Sequence, residues 1–161
     1  MRLGDIKIIA GGQTGADRAT LDWAIAHGIP HGGWCPKGRW AEDGPIPARY
    51  ALRETPSAEP AQRTEWNVRD SDGTVIFSIH ANLSGGTLLA AQFARKYQKP
   101  LLHIFKMAGR ESGVGDSVKA ELLRGFLQEH EIRILNIAGP RASEEAAIGK
   151  FVTEMLEGLC S

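Results

Sequence analysis

Three short segments of this chain carry residue types suited to gripping an anion: Gly11-Gly12-Gln13-Thr14-Gly15-Ala16-Asp17, Ser84-Gly85-Gly86-Thr87 and Gly139-Pro140-Arg141. Glycines let backbone N–H groups approach an oxyanion with no Cβ in the way. A helix starting just after them adds unpaired donors and the positive end of its dipole. The hydroxyls of Thr14 and Thr87 can cap such helices or donate to a phosphate oxygen, and Arg141 can make a bidentate, charge-assisted contact. A glycine after a strand can also simply make a tight turn. Three such loops meeting at one place favour the anion site. Neither common nucleotide fingerprint is present: no Lys follows Gly15, as GxxxxGK[ST] demands, and GxGxxG is missing. Asp17 would repel an anion beside it. Its TxxD spacing from Thr14 suits a helix cap, and the alternatives are a base, a sugar hydroxyl or Arg18.

The elements that must position these loops follow from the pattern of apolar runs. Residues 6–10 form a β-branched run that stops at Gly11-Gly12, and residues 16–27 read as an Ala-rich helix ended by Gly28. Residues 28–49 are dominated by Gly and Pro and admit no helix or long strand. A short strand is expected at 50–55, then a helix over 60–70 after Pro60. Strand and helix then alternate: strands at 73–78, 101–105 and 132–138, helices at 87–98, 114–130 and 142–158. Fully apolar strands alternating with helices predict an α/β fold, a Rossmann-like three-layer sandwich whose mostly parallel sheet has helices on both faces. A length of 161 residues suits a single domain spanning 1–161. In such sheets ligands bind outside the carboxyl ends of the strands, where all three glycine loops fall.

The long middle segment is itself a candidate, because loops of that length are usually functional. It offers Trp34 and Trp40 as flat surfaces for a ring, or as anchors to the core. Arg39 can meet phosphate, and Glu42 can accept from ring amino groups. Glu42 and Asp43 beside Arg39 also read as a salt-linked lid. Arg63 and Asn67 share a helix face, with Arg63 nearer the ligand edge. Asp70 and Asp72 fall on the far edge and read as turn and cap residues, whereas His80 and Asn82 follow a strand's carboxyl end.

Bulk properties exclude several classes. Lys+Arg and Asp+Glu are both 19, so broad nucleic-acid binding is not expected. Cys35 and Cys160 sit in no metal or disulfide pattern and fit a reducing compartment. No apolar stretch has the length of a membrane span or signal segment, so a soluble, cytoplasmic protein is expected.

The GGQTGAD segment resembles the putative molybdenum carrier family, which is similar to the molybdenum-cofactor carriers of algae and, within one Rossmann-like group, to the lysine-decarboxylase-like cytokinin phosphoribohydrolases. The resemblance continues through Trp34, Pro36, Lys37, Gly38 and Arg39, Ala41-Glu42-Asp43-Gly44, Arg63-Thr64, Asn67 and Asp70-Ser71-Asp72-Gly73-Thr74 to the two later glycine loops. It implies a binding or carrier protein for molybdenum cofactor (molybdopterin), whose pterin bears a terminal phosphate, or for a similar phosphorylated, nucleotide-like ligand. Phosphate or molybdate alone would suit the same donors, and Cys35 is a minor candidate for touching molybdenum. The implied ligand contacts are Gly11, Gly12, Gln13, Thr14, Gly15, Asp17, Arg39, Glu42, Arg63, Ser84, Gly85, Gly86, Thr87 and Arg141, with no catalytic residue and no metal ligand. The resemblance also implies a homo-oligomer, a dimer or higher. Leu122, Leu123, Phe126 and Leu127 are the candidate face. Two alternatives stand beside the carrier: a nucleotide phosphoribohydrolase and a nucleotide-sensing module. The related hydrolases carry PGGxGTxxE, where the glutamate assists cleavage; here Ala90 holds the glutamate position and Asn82 the proline position. Either Glu42 or Asp43 would have to substitute.

Overall fold

The computed structural model describes residues 2–106 and 115–160. In chain order it contains β1 (Lys7–Ile9), α1 (Ala16–Ala26), β2 (His31–Gly32), β3 (Trp34–Cys35), β4 (Trp40–Ala41), β5 (Gly44–Pro45), β6 (Arg53–Glu54), α2 (Pro60–Arg69), β7 (Gly73–Ser78), α3 (Gly85–Lys96), β8 (Leu101–Phe105), α4 (Asp116–Glu129), β9 (Ile134–Ala138) and α5 (Ile148–Glu157). A 3-10 turn, Gly158–Cys160, follows α5. Residue 114, expected to open the fourth helix, lies outside the described residues.

The main sheet has five parallel strands in the order β2-β1-β9-β7-β8. Every residue of β7 is buried, as a strand covered on both faces requires. The α1, α4 and α5 helices pack on one face, and α2 with α3 on the other. That division follows from right-handed crossovers that leave the centre in opposite directions. The larger core lies under α1, α4 and α5, where Phe77 meets Phe151 edge to face at 6.1 Å. The amphipathic α5 supplies Ile148, Phe151, Val152, Met155 and Leu156 to it.

The last strand, β9, sits in the middle of the sheet. Counting cyclically from β9 as strand one turns the spatial order into 3-2-1-4-5, that of a doubly wound dinucleotide-binding sheet. The switch point of such a sheet falls between its strands one and four, here β9 and β7. Parallel pairing brings the ends of β1, β7 and β9 to one edge, so the three glycine loops meet there.

The two-residue strand β2 lies inside the segment expected to hold no helix or long strand. Its pairing with β1 needs only backbone, through Ile8 N–H to Pro30 O at 2.9 Å and Ala10 N–H to Gly32 O at 3.2 Å, so no apolar run marks it. The strand expected at 50–55 shrinks to β6, which pairs with β3 outside the main sheet. The proposed oligomer face also fails as a face. Leu123, Phe126 and Leu127 are buried in the core, and of the four only Leu122 is exposed.

Candidate functional site

A cleft of about 90 Å³ opens at the switch point. The loop after β1 contributes Gly11, Gln13 and Asp17; α2 contributes Arg63, Thr64 and Asn67; the start of α3 contributes Gly86 and Thr87; β9 and its loop contribute Asn136, Gly139, Arg141 and Glu144. A second hollow of about 120 Å³ adjoins it across Thr87 and Glu144, and is lined by Ser78, His80, Asn82 and Ser84.

The first loop is tied together by its own polar groups. Asp17 Oδ2 accepts from Gln13 N–H at 3.0 Å and faces Arg63 Nη1 at 3.6 Å. The cap expected between Asp17 and Thr14 is therefore one residue displaced. Burial pushes the Asp17 carboxyl up, against the opposing pull of Arg63 and two backbone N–H groups. Arg63, itself 7 % exposed, donates to the Gly11 carbonyl at 2.7 Å. A Cβ on Gly11 would lie 2.2 Å from that guanidinium, so any larger residue there would displace Arg63 from the Gly11 carbonyl. Gly12 and Gly15 take φ of 84° and 79° and back the loop without lining the cleft.

Gln13 is the decisive residue. Its Oε1 accepts from the N–H groups of Thr14 at 3.0 Å and Glu42 at 2.9 Å. Two backbone donors fix which end of the amide is oxygen. Nε2 is left buried in a residue that lines the cleft, the one side-chain polar atom among the described residues that is buried with no partner. Gln13 is 6 % exposed, so this donor is not simply solvated. A buried unpaired donor costs about 1–3 kcal/mol, which an acceptor in the cleft would recover.

The second loop is open where the first is closed. Ser84 makes no capping side-chain hydrogen bond, so the first N–H groups of α3 have no side-chain partner there. Gly86 has nothing within 4 Å of where its Cβ would stand. Glu144 hangs over this start, its Oε2 3.6 Å from a Cβ built on Gly85. Arg141 lies 3.8 Å from both Glu42 and Glu144. Two guanidinium groups and two carboxylates thus line the cleft, and their formal charges cancel. Any preference for an anion here would rest on aimed N–H donors rather than net charge.

The middle segment is tied to the loops around the cleft, though not through the links expected, and none of its residues lines the cleft. Glu42 accepts from the Thr14 hydroxyl and from Ser143 through its hydroxyl at 2.6 Å and its N–H at 3.2 Å. Ser143 and then Thr14 hold its carboxyl below the ordinary glutamate range. Asp43 pairs bidentately with Arg18 at 2.9 Å, and Arg18 also holds the Gly12 carbonyl. Arg39 takes no part in these links. Its guanidinium is spent on the carbonyls of Ile46, Pro47, Tyr50 and Leu52, a staple inside the segment that leaves it outside the cleft lining. Trp34 is an anchor, donating to Asp70 at 2.8 Å and packing on Trp66 and Arg53. Trp40 stays 49 % exposed. Cys35 is fully buried, its thiol pushed up by burial, and meets nothing in the cleft. Asp72 caps the start of β9 through Arg133 and Ile134, as expected of the far edge.

Among the expected contacts, Gly11, Gln13, Asp17, Arg63, Gly86, Thr87 and Arg141 line the cleft. Ser84 lines the adjoining hollow and Gly85 sits beneath Glu144. Gly12, Thr14, Gly15 and Glu42 support the cleft, and Arg39 does neither. Asn136 and Glu144 were not anticipated. A lone Asn in the apolar run Ile134–Ala138 was a readable signal for the first.

The model of the circularly permutated YpsA SLOG family matches residues 8–160. This chain belongs to that family. The permutation in the family's description agrees with the central position of β9. A crystal structure of a putative molybdenum carrier protein from Syntrophus aciditrophicus SB is similar over 100 % of this chain and 98 % of its own, at 45 % identity and a TM-score of 0.90. No curated protein matches. Among the described residues no helix is long and apolar enough to cross a membrane.

Proposed function

We propose that this family member binds the phosphate or oxyanion end of a small ligand in the cleft between β9 and β7, and carries the ligand without transforming it. The buried, unpartnered Nε2 of Gln13 carries this reading, because it is a donor waiting for an acceptor beside the open start of α3. Thr87 and Arg141 complete the donor set around the same space. A volume of about 90 Å³ is roughly three waters' worth, enough for a tetrahedral oxyanion. Drug-sized ligands need roughly 300 Å³ or more, so a fused ring does not fit with its phosphate. The ring would extend into the adjoining hollow past Thr87. The similar protein from Syntrophus makes molybdenum cofactor or molybdate the first cargo to test.

The hydrolase alternative is weaker. Ala90 lines the cleft at the position expected of the catalytic glutamate, and a methyl group moves no proton. Neither substitute carboxylate is free, since Glu42 is held by Thr14 and Ser143 and Asp43 by Arg18. Glu144, by contrast, hangs over the helix start as an internal carboxylate in the seat an anion would take.

Calorimetry with phosphate and molybdate tests the binding reading. One equivalent should bind, and Glu144→Gln should bind several-fold tighter because the competing charge is gone. No heat from either anion, in either protein, would refute it. Ribose 5-phosphate released from purine nucleoside monophosphates at about one turnover per second would instead favour the hydrolase.

A further inference from the structure

A second constellation lies outside the cleft, where the end of α1 meets the end of α5. His27 follows α1, Glu157 is the last residue of α5 and Cys160 closes the 3-10 turn after it. Their ligand atoms all lie within 4.8 Å of one another, the one such trio of His, Cys, Asp or Glu among the described residues.

The hydrogen bonds around the trio point to a cation. His27 Nδ1 lies 2.9 Å from the Trp23 carbonyl, which can only accept, so Nδ1 carries the proton. In the neutral ring the Nε2 lone pair then faces Glu157 Oε1 at 3.1 Å. Two acceptors at that spacing repel unless a proton or a metal ion lies between them. Two ligands of a tetrahedral zinc ion, at bonds of about 2.0–2.1 Å, stand roughly 3.3 Å apart. The Trp23 side chain fixes both groups: its ring stacks on His27 at 4.5 Å, and its Nε1–H donates to Glu157 Oε1 at 2.9 Å. Metal-binding histidines typically donate their other nitrogen to a carbonyl, and ligating carboxylates are themselves hydrogen-bonded. Trp23 supplies both kinds of support. Glu157 and Cys160 are three apart, so the chain presents them together.

We propose that His27 Nε2, the Glu157 carboxylate and Cys160 Sγ form a site for a borderline divalent cation of the zinc type. One nitrogen, one oxygen and one sulfur disfavour magnesium and calcium, which take oxygen ligands. Three protein ligands leave a fourth position open, and His27 and Glu157 also line a groove of about 790 Å³ between α1 and α5. The Cys160 thiol proton leaves to solvent as the metal binds. This site is independent of the anion cleft.

The test uses the full chain without a histidine tag, kept reduced and stripped with a chelator, then titrated with Co²⁺ and with Zn²⁺. One equivalent of cobalt should give a near-ultraviolet thiolate-to-metal band and the visible bands of tetrahedral cobalt, both abolished by zinc. Cys160→Ser should remove the thiolate band. Both Cys160→Ser and Glu157→Gln should weaken zinc binding at least about tenfold while circular dichroism stays unchanged. A missing thiolate band in the parent protein, or binding that neither variant changes, would overturn the proposal.

Discussion

After β1 the chain turns through residues 11–17 into α1, and after β7 it turns through residues 84–87 into α3. Both turns are glycine-rich and both reach the same cleft. In the first, nearly every polar group is answered internally: Asp17 by Gln13, Gln13 by Thr14 and Glu42, the Gly11 carbonyl by Arg63 and the Gly12 carbonyl by Arg18. In the second, no side chain caps the helix and Gly86 faces empty space. Glycine serves opposite ends in the two places. In the first turn its neighbours stand where a Cβ would go; in the second its lack of a side chain leaves space clear around the helix start.

The largest effect should come from a side chain in the closed turn. Gly15 has φ of 79°, and a Cβ there would lie 2.6 Å from the Pro140 carbonyl. Gly15→Ala should cost about 3 kcal/mol of stability in urea denaturation. Gly86→Ala, with no clash, should stay within about 0.5 kcal/mol of the parent. Equal losses from the two would erase the distinction between the turns.

Adding a negative charge to the open turn should leave the fold intact and weaken ligand binding. Gly86→Asp is expected to weaken phosphate binding on the order of a hundredfold, since like charges in contact cost several kcal/mol. Calorimetry on a folded variant with unchanged affinity would take this turn out of the site.

A comparable effect should follow from Gln13→Glu. The new carboxylate keeps acceptors for the Thr14 and Glu42 N–H groups but puts a negative oxygen where the Nε2 donor stood. Phosphate affinity should fall on the order of a hundredfold, since a donor is lost and a like charge gained. If affinity holds, Gln13 belongs wholly to the closed turn.

The mildest expectation concerns pH. Hydrogen bonds from Ser143 and Thr14 hold the folded Glu42 carboxyl below its ordinary range. Its latch therefore contributes fully above that range and fades as pH falls through the lowered value. The Ser143 amide resonance should show an acid inflection below that of free glutamate, absent in Glu42→Gln. An inflection at the free value would mean that the latch is not formed in solution.

The apolar runs of β7, buried throughout, and of the edge strand β8 were legible from their composition, and both fall at the residues expected. The edge strand β2 was not, because two residues held by backbone alone leave no periodic trace. The order of strands was hidden too, since nothing local says that β9 inserts between β1 and β7. At the site, glycines and Arg63 were readable from spacing. Arg39 was not, because a basic residue in a loop looks alike whether it meets phosphate or four carbonyls. Helix α4 misled for a related reason: Leu123, Phe126 and Leu127 follow the same period whether they meet a core or a partner.

The central place of the final strand bears on how the protein is made. Both β1 and β7 pair with β9, and of the five strands of this sheet β9 is the last to leave the ribosome. Until residues 134–138 emerge, the nascent chain holds two half-sheets, each with an unpaired inner edge. Such edges invite mispairing with other chains, and translation at about 5–20 residues per second keeps them open for several seconds. A stop codon within α4 would therefore yield no smaller version of this protein, only two strand pairs without the strand that joins them.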